Sequence, residues 1–182
     1  ILTIEWIIVF LVIIGLLILW SLYSQSKQKE EIERNHSEIL SSINYAKTIQ
    51  TAVLPKSDIF DHAFRDYLLI NSPKDGISGD FYQIKISEKN IIIAIADCTG
   101  HGVPGAMLSM LGISLFNDII KRKEVETPAD VLYELKYQVS SNLQENTKSD
   151  MDIALCTISK TDTKLTYAGA YINMYLIRDN QV

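Results

Sequence analysis

The sequence predicts a mixed α/β (α+β) fold placed behind a long N-terminal helix. Three observations predict it. Short alternating or wholly apolar runs at Asp80–Ile86, Ile91–Asp97, Met151–Ile158, Leu165–Ala170 and Met174–Arg178 read as strands. Two longer segments with apolar residues at helical spacing lie between the second and third of these runs. An uncharged run and then a stretch free of Pro and Gly precede them all.

The uncharged run is Trp6–Tyr23, 18 residues in which Ser21 is the one strongly polar member. That is close to the roughly 20 residues needed to cross a hydrocarbon core. Trp6, Trp20 and Tyr23 stand at its ends, as in an aromatic belt. A buried core helix is the competing reading. A signal peptide fits poorly, with no basic leader and no small-residue cleavage site. Residues 6–23 therefore read as a single membrane span. Glu5 precedes it and Lys27, Lys29 and Arg34 follow, which places the C-terminal side in the cytoplasm and the span in the cell's inner membrane. The chain begins with Ile and ends on a strand-like segment, so it reads as a stretch of a longer protein.

Residues 27–54 contain neither Pro nor Gly and favour helix. Ile32, Ile39, Ala46 and Val53 recur every seven residues, and Lys29, His36, Ile43 and Gln50 form the complementary seam. One row of this heptad pattern is apolar and the other, apart from Ile43, is polar. The pattern fits a weak coiled coil that would pair two copies of the chain, or a single amphipathic helix lying on the domain surface. His36 reads as a seam or surface histidine. Pro55 stops the helix, and residues 56–182 form the third region.

Asp58–Leu69 is mixed and gives no firm assignment. The turn-rich stretch Pro73–Gly79 leads into Asp80. Ser87-Glu88-Lys89-Asn90 reads as a four-residue hairpin loop between the first two strands. Closing that hairpin pairs Ile86 with Ile91 and therefore Asp80 with Asp97, their Cβ atoms ~5 Å apart. Like charges so placed destabilise a sheet unless a cation lies between them or a proton is shared. With oxygen ligands alone, the cation would be Mg²⁺ or Mn²⁺. A one-residue slip would instead leave two unrelated strand-end aspartates.

Gly100, Gly102 and Gly105 follow Asp97 within eight residues, allowing tight turning and close backbone approach to a ligand. Pro104 suits a first helical turn, and Leu108, Leu111, Leu115 and Ile119 mark one face of a helix to about Lys123. Its N-terminus would aim free N–H groups at the neighbourhood of the carboxylates. His101 reads first as a loop residue, then as an acid or phosphate contact. Thr127-Pro128-Ala129-Asp130 reads as a capping box opening a second helix to about Asn146. Asp150 and Asp152 read as turn and strand-start residues, with a further ligand role left open.

Net charge is −5 with no dominant basic face, which argues against a nucleic-acid partner. Cys98 and Cys156 have neither disulfide nor zinc-ligand spacing.

Five stretches together resemble the PPM-type, metal-dependent serine/threonine phosphatases, in the SpoIIE/RsbU branch of bacterial signalling. They are Tyr45–Pro55, Pro73–Tyr82, Ala94–Met107, Met151–Leu155 and Tyr167–Ala170. The resemblance implies a sandwich of two antiparallel β-sheets flanked by helices. It implies Asp80 as a metal-binding aspartate, Asp97 as the bridging aspartate of a two-metal Mn²⁺ or Mg²⁺ site, and the Cys98 carbonyl as a further ligand. It also implies direct attack by a metal-activated water on phosphoserine or phosphothreonine, without a phosphoenzyme. The implied partner is a small phosphorylated regulator of the anti-sigma-factor antagonist type. The family's later aspartates fall beyond Val182. Asp150 replaces a common Gly, and Tyr171-Ile172-Asn173 replaces an Asn-Asn-Pro-like turn. A non-catalytic, partner-binding module on the same fold is the alternative function.

Overall fold

The computed structural model describes residues 2–73, 76–122, 127–143 and 150–178. The chain divides into two compact units, Ile1–Ser42 and Ile43–Val182. One helix, α1 (Leu2–Val53), supplies all of the first unit and opens the second. Its apolar start has a mean hydropathy of 2.7 over 18 residues and buries none of that surface, so it is long and apolar enough to cross a membrane. Trp6, Trp20 and Tyr23 are all exposed, and Lys27 Nζ sits 5.6 Å from the centre of the Tyr23 ring.

The second unit is built on a four-stranded antiparallel sheet in the order β1 (Phe81–Ile86), β2 (Asn90–Cys98), β3 (Met151–Ser159), β4 (Leu165–Ala170). It also contains α2 (Ser57–Ala63), α3 (Gly102–Ile119) and α4 (Pro128–Asn142). The ambiguous Asp58–Leu69 region thus contains a short helix. Of the two sheets that a PPM-type sandwich contains, the described residues form one.

The strands alternate their side chains between two differently covered faces. Phe81, Ala94, Ala96, Cys98, Ile153 and Leu155 point to the face covered by α3 and α4. There they bury Leu108, Ile113, Phe116 and Ile119 of α3 and Val131 and Leu135 of α4. On the other face Ile84 and Ile91 pack against Phe60 of α2 in a smaller cluster, while Ile95 remains 52% exposed. Alanines at 94 and 96 let the helices approach β2 closely, which a longer side chain would prevent.

Several boundaries moved for identifiable reasons. The hairpin loop shortens because Ser87 N–H donates to the Asn90 carbonyl at 2.8 Å, so Asn90 already belongs to β2. Helix α3 ends at Ile119, before the expected Lys123, and α4 ends at Asn142; the expected end at Asn146 lies outside the described residues. Met174–Arg178 forms no strand of the sheet. Tyr171, at φ 63°, turns the chain after β4 and makes a single parallel bridge to Ile153, so the following residues leave the ladder.

The capping box of α4 is present as the sequence predicts. Thr127 Oγ1 accepts from Asp130 N–H at 3.3 Å, and Thr127 N–H donates to Asp130 Oδ2 at 2.9 Å. Thr127→Ala is expected to cost about 1 kcal/mol of stability by urea unfolding. An unchanged midpoint would show that the cap contributes nothing.

Candidate metal centre

The register between β1 and β2 pairs Ile86 with Ile91 and runs without a bulge to Phe81 opposite Ala96. Asp80 immediately precedes that last pair, and Asp97 immediately follows it. The two side chains therefore share one face of the hairpin, with the carboxyl groups close enough for a hydrogen bond with Asp97 to act on Asp80. Burial, that hydrogen bond and the negative charge of Asp97 raise the Asp80 carboxyl above its ordinary value. Two like charges so placed disfavour each other, and a divalent cation between them would remove that cost.

Backbone atoms complete this corner. A Cβ added at Gly79 would lie 2.9 Å from the Cys98 carbonyl oxygen and 2.8 Å from that of Gly100. A Cβ at Gly105 would strike the Gly100 carbonyl and come within 3.2 Å of Gly79 Cα. The chain before Asp80, the loop after Asp97 and the first turn of α3 are therefore packed backbone against backbone. Gly79, Gly100 and Gly105 thus admit one another's backbone closely. Gly100 (φ 96°) and Gly102 (φ 63°) also occupy left-handed conformations that turn the loop into α3.

The Cys98 carbonyl thus lies beside the residue that precedes Asp80. Its thiol is buried on the α3 face, and burial with the nearby Asp97 and Asp80 charges pushes it up to about 12. The thiol points to the α3 face and the carboxylates to the other, so the carbonyl oxygen is the atom Cys98 could offer beside them. The two carboxylates with that carbonyl would make an all-oxygen donor set, a chemistry that fits Mg²⁺ or Mn²⁺. Among the described residues, no three His, Cys, Asp or Glu side chains converge as a metal-holding group.

Alternation along β2 places Asp97 on the face opposite Ala96 and Cys98, hence opposite α3. The body of α3 covers the other face of β2, while its first turn packs against Gly79, the residue before Asp80. His101 is the N-cap residue of α3 and makes no side-chain capping bond.

Three contributors take their places from contacts between distant parts of the chain. Asp152 is the direct cross-strand partner of Asp97 on β3, so its carboxyl lies on the Asp97 face of the sheet. Asp150 ties down the loop with its main chain: its carbonyl accepts from the Thr99 N–H and hydroxyl, both at 2.9 Å. Gln50, expected in a coiled-coil seam, is buried against Ser78 and Ser109. Its burial and that of half-buried Ile43 and Ala46 mean that the last part of that seam packs within its own domain.

Residues 87–182 match the family described as Stage II sporulation protein E (SpoIIE). The chain belongs to the SpoIIE family. It is 29% identical over 150 residues to the protein named phosphoserine phosphatase RsbU of Bacillus subtilis (strain 168), a match covering 81% of this chain and 43% of that protein. Among solved structures it resembles the SiaA PP2C domain of Pseudomonas aeruginosa. That likeness has a TM-score of 0.68 and 30% identity, covering 74% of this chain and 55% of the other. The SpoIIE match and both relatives agree on a PPM-type fold of the SpoIIE/RsbU branch. The chain spans about half the length of the relatives it matches.

Proposed function

We propose that the chain is part of a membrane-tethered, Mn²⁺- or Mg²⁺-dependent serine/threonine phosphoprotein phosphatase in bacterial signalling. The observation that carries this reading is the facing pair Asp80 and Asp97 at the end of the β1–β2 hairpin, in a chain of this family. Asp80, Asp97 and the Cys98 carbonyl would hold the cation. The metal centre would supply an acidified, oriented water and neutralise charge on the phosphoryl group. The protein's own part is to hold the two carboxylates rigidly opposed, so that little reorganisation is needed at reaction. The substrate would be a small phosphorylated regulator of the anti-sigma-factor antagonist type. Residues 6–23 would be the tether, 27–54 the linker helix and 56–182 part of a cytoplasmic phosphatase domain. Ile32 and Ile39 remain exposed on the linker, available for pairing with a second copy of the chain.

The test is release of phosphate from a phosphoserine protein by the full-length protein, with and without Mn²⁺. Activity is expected with metal and is expected to vanish in excess chelator, while Mn²⁺ raises the unfolding temperature by binding the native state. Full activity in chelator would reject the reading. A non-catalytic, partner-binding module on the same fold is the second reading. Binding of Mn²⁺ without phosphate release would select it.

A further inference from the structure

We infer that Gln50, on the last turns of α1, is a positioning residue for Asp80. The inference rests on the metal-site reading of Asp80 above. A single amide engages both main-chain groups of one residue. Gln50 Oε1 accepts from Ser78 N–H at 2.9 Å, and Gln50 Nε2 donates to the Ser78 carbonyl at 2.6 Å. The same Nε2 donates to Ser109 Oγ at 2.9 Å, and Ser109 Oγ lies 3.0 Å from the Ser78 carbonyl and 2.9 Å from that of Ala106. Gln50 is 7% exposed and Ser109 fully buried, so water does not compete for these bonds.

Two bonds to one residue define orientation as well as position. Ser78 is held from α1 and α3, and Gly79 is wedged against the Cys98 and Gly100 carbonyls. The next residue is Asp80, whose N–H donates to Ser78 Oγ at 3.0 Å. Between the Gln50 amide and the Asp80 carboxyl there is accordingly one two-residue step, clamped at each end. A slack Ser78 would let the Asp80 carboxyl swing away from Asp97. A second amide, Gln83 Nε2, reaches the Val53 carbonyl at 3.1 Å and also ties α1 to the sheet. Its hydrogen bond goes to α1 and not to the Ser78–Asp80 step, which makes it the natural control.

The experiment compares Gln50→Met and Gln83→Met in the full-length protein. Met keeps the length and helix preference of Gln but removes its hydrogen bonds. Mn²⁺ affinity is read by direct titration and the Ser78 and Asp80 amides by hydrogen exchange. Gln50→Met is expected to weaken Mn²⁺ binding about 10- to 100-fold, as loss of a group supporting a ligand does. It is expected to speed exchange at Ser78 and Asp80 while the β2 amides keep their protection. Gln83→Met is expected to lower the unfolding temperature with Mn²⁺ affinity within about two-fold of wild type. Equal Mn²⁺ affinity and unchanged Ser78 exchange in folded Gln50→Met would overturn the inference. So would failure of Gln50→Met to fold, since the amide would then be holding the whole domain. If wild type binds no Mn²⁺, the metal-site reading fails separately, and the exchange measurement alone decides whether Gln50 holds the Asp80 segment.

Discussion

Asp97→Asn is expected to lower kcat of the full-length protein on a phosphoserine substrate by about 10³-fold at saturating Mn²⁺. Asparagine keeps the shape and one acceptor oxygen but loses the charge that a bridging ligand contributes. The fold should not suffer. Asp97 is exposed near the end of β2, and its main chain keeps its ladder pairing with Asp152. Metal-free, the variant should be at least as stable as wild type at neutral pH. The amide removes a like charge from beside Asp80, a relief worth a few tenths of a kcal/mol for a cross-strand pair. The sign for Asp80 follows from its raised value: that carboxyl favours its protonated form in the fold, so wild type loses this stability as pH rises through it. The variant should show less of that loss, and Mn²⁺ should no longer raise its unfolding temperature. Activity within ten-fold of wild type would remove Asp97 from the chemistry.

Gly105→Ala is expected to destabilise the domain by about 2 kcal/mol in urea unfolding and to weaken Mn²⁺ binding with it. Alanine in place of glycine ordinarily helps a helix by up to about 1 kcal/mol. Here the added methyl would overlap the Gly100 carbonyl and press on Gly79 Cα at 3.2 Å. Both neighbours are backbone. Gly100 is held at φ 96° by the turn it makes, and Gly79 is wedged against two carbonyls, so neither yields as a side chain would. Any shift of Gly79 displaces Asp80. Gly15 provides the contrast: a methyl there meets nothing within 4 Å, so Gly15→Ala should show only the helix preference. Wild-type stability for Gly105→Ala would mean that the three backbone segments are not tightly joined.

Much of the candidate site was legible because it depends on local rules. A four-residue connection between two strand-like runs admits few registers, and the one that closes the hairpin at Ile86 and Ile91 brings Asp80 to Asp97. The capping box of α4 needs only Thr127 and Asp130, three residues apart. Gln50 was not legible. Its heptad position is equally consistent with facing another helix, and its partners Ser78 and Ser109 lie 28 and 59 residues away. Asp152 was hidden for a similar reason: its place beside Asp97 depends on pairing β2 with β3 across two helices. Met174–Arg178 shows the opposite failure. Its composition suits a strand, but a strand also needs a partner edge, and Tyr171 has already turned the chain from β4.

Sequence alone determined the long apolar helix, the hairpin with its opposed aspartates, the glycine-rich turn and the capped helix after it. Each follows from spacing within a few residues, where backbone geometry leaves few options. Only the tertiary structure decided that α3 and the carboxylates lie on opposite faces of β2, that Gly79, Gly100 and Gly105 lock together, and that Gln50 grips the segment before Asp80. Those are contacts between distant parts of the chain. They are selected by how the whole sheet and its helices exclude water, a condition that no local pattern encodes.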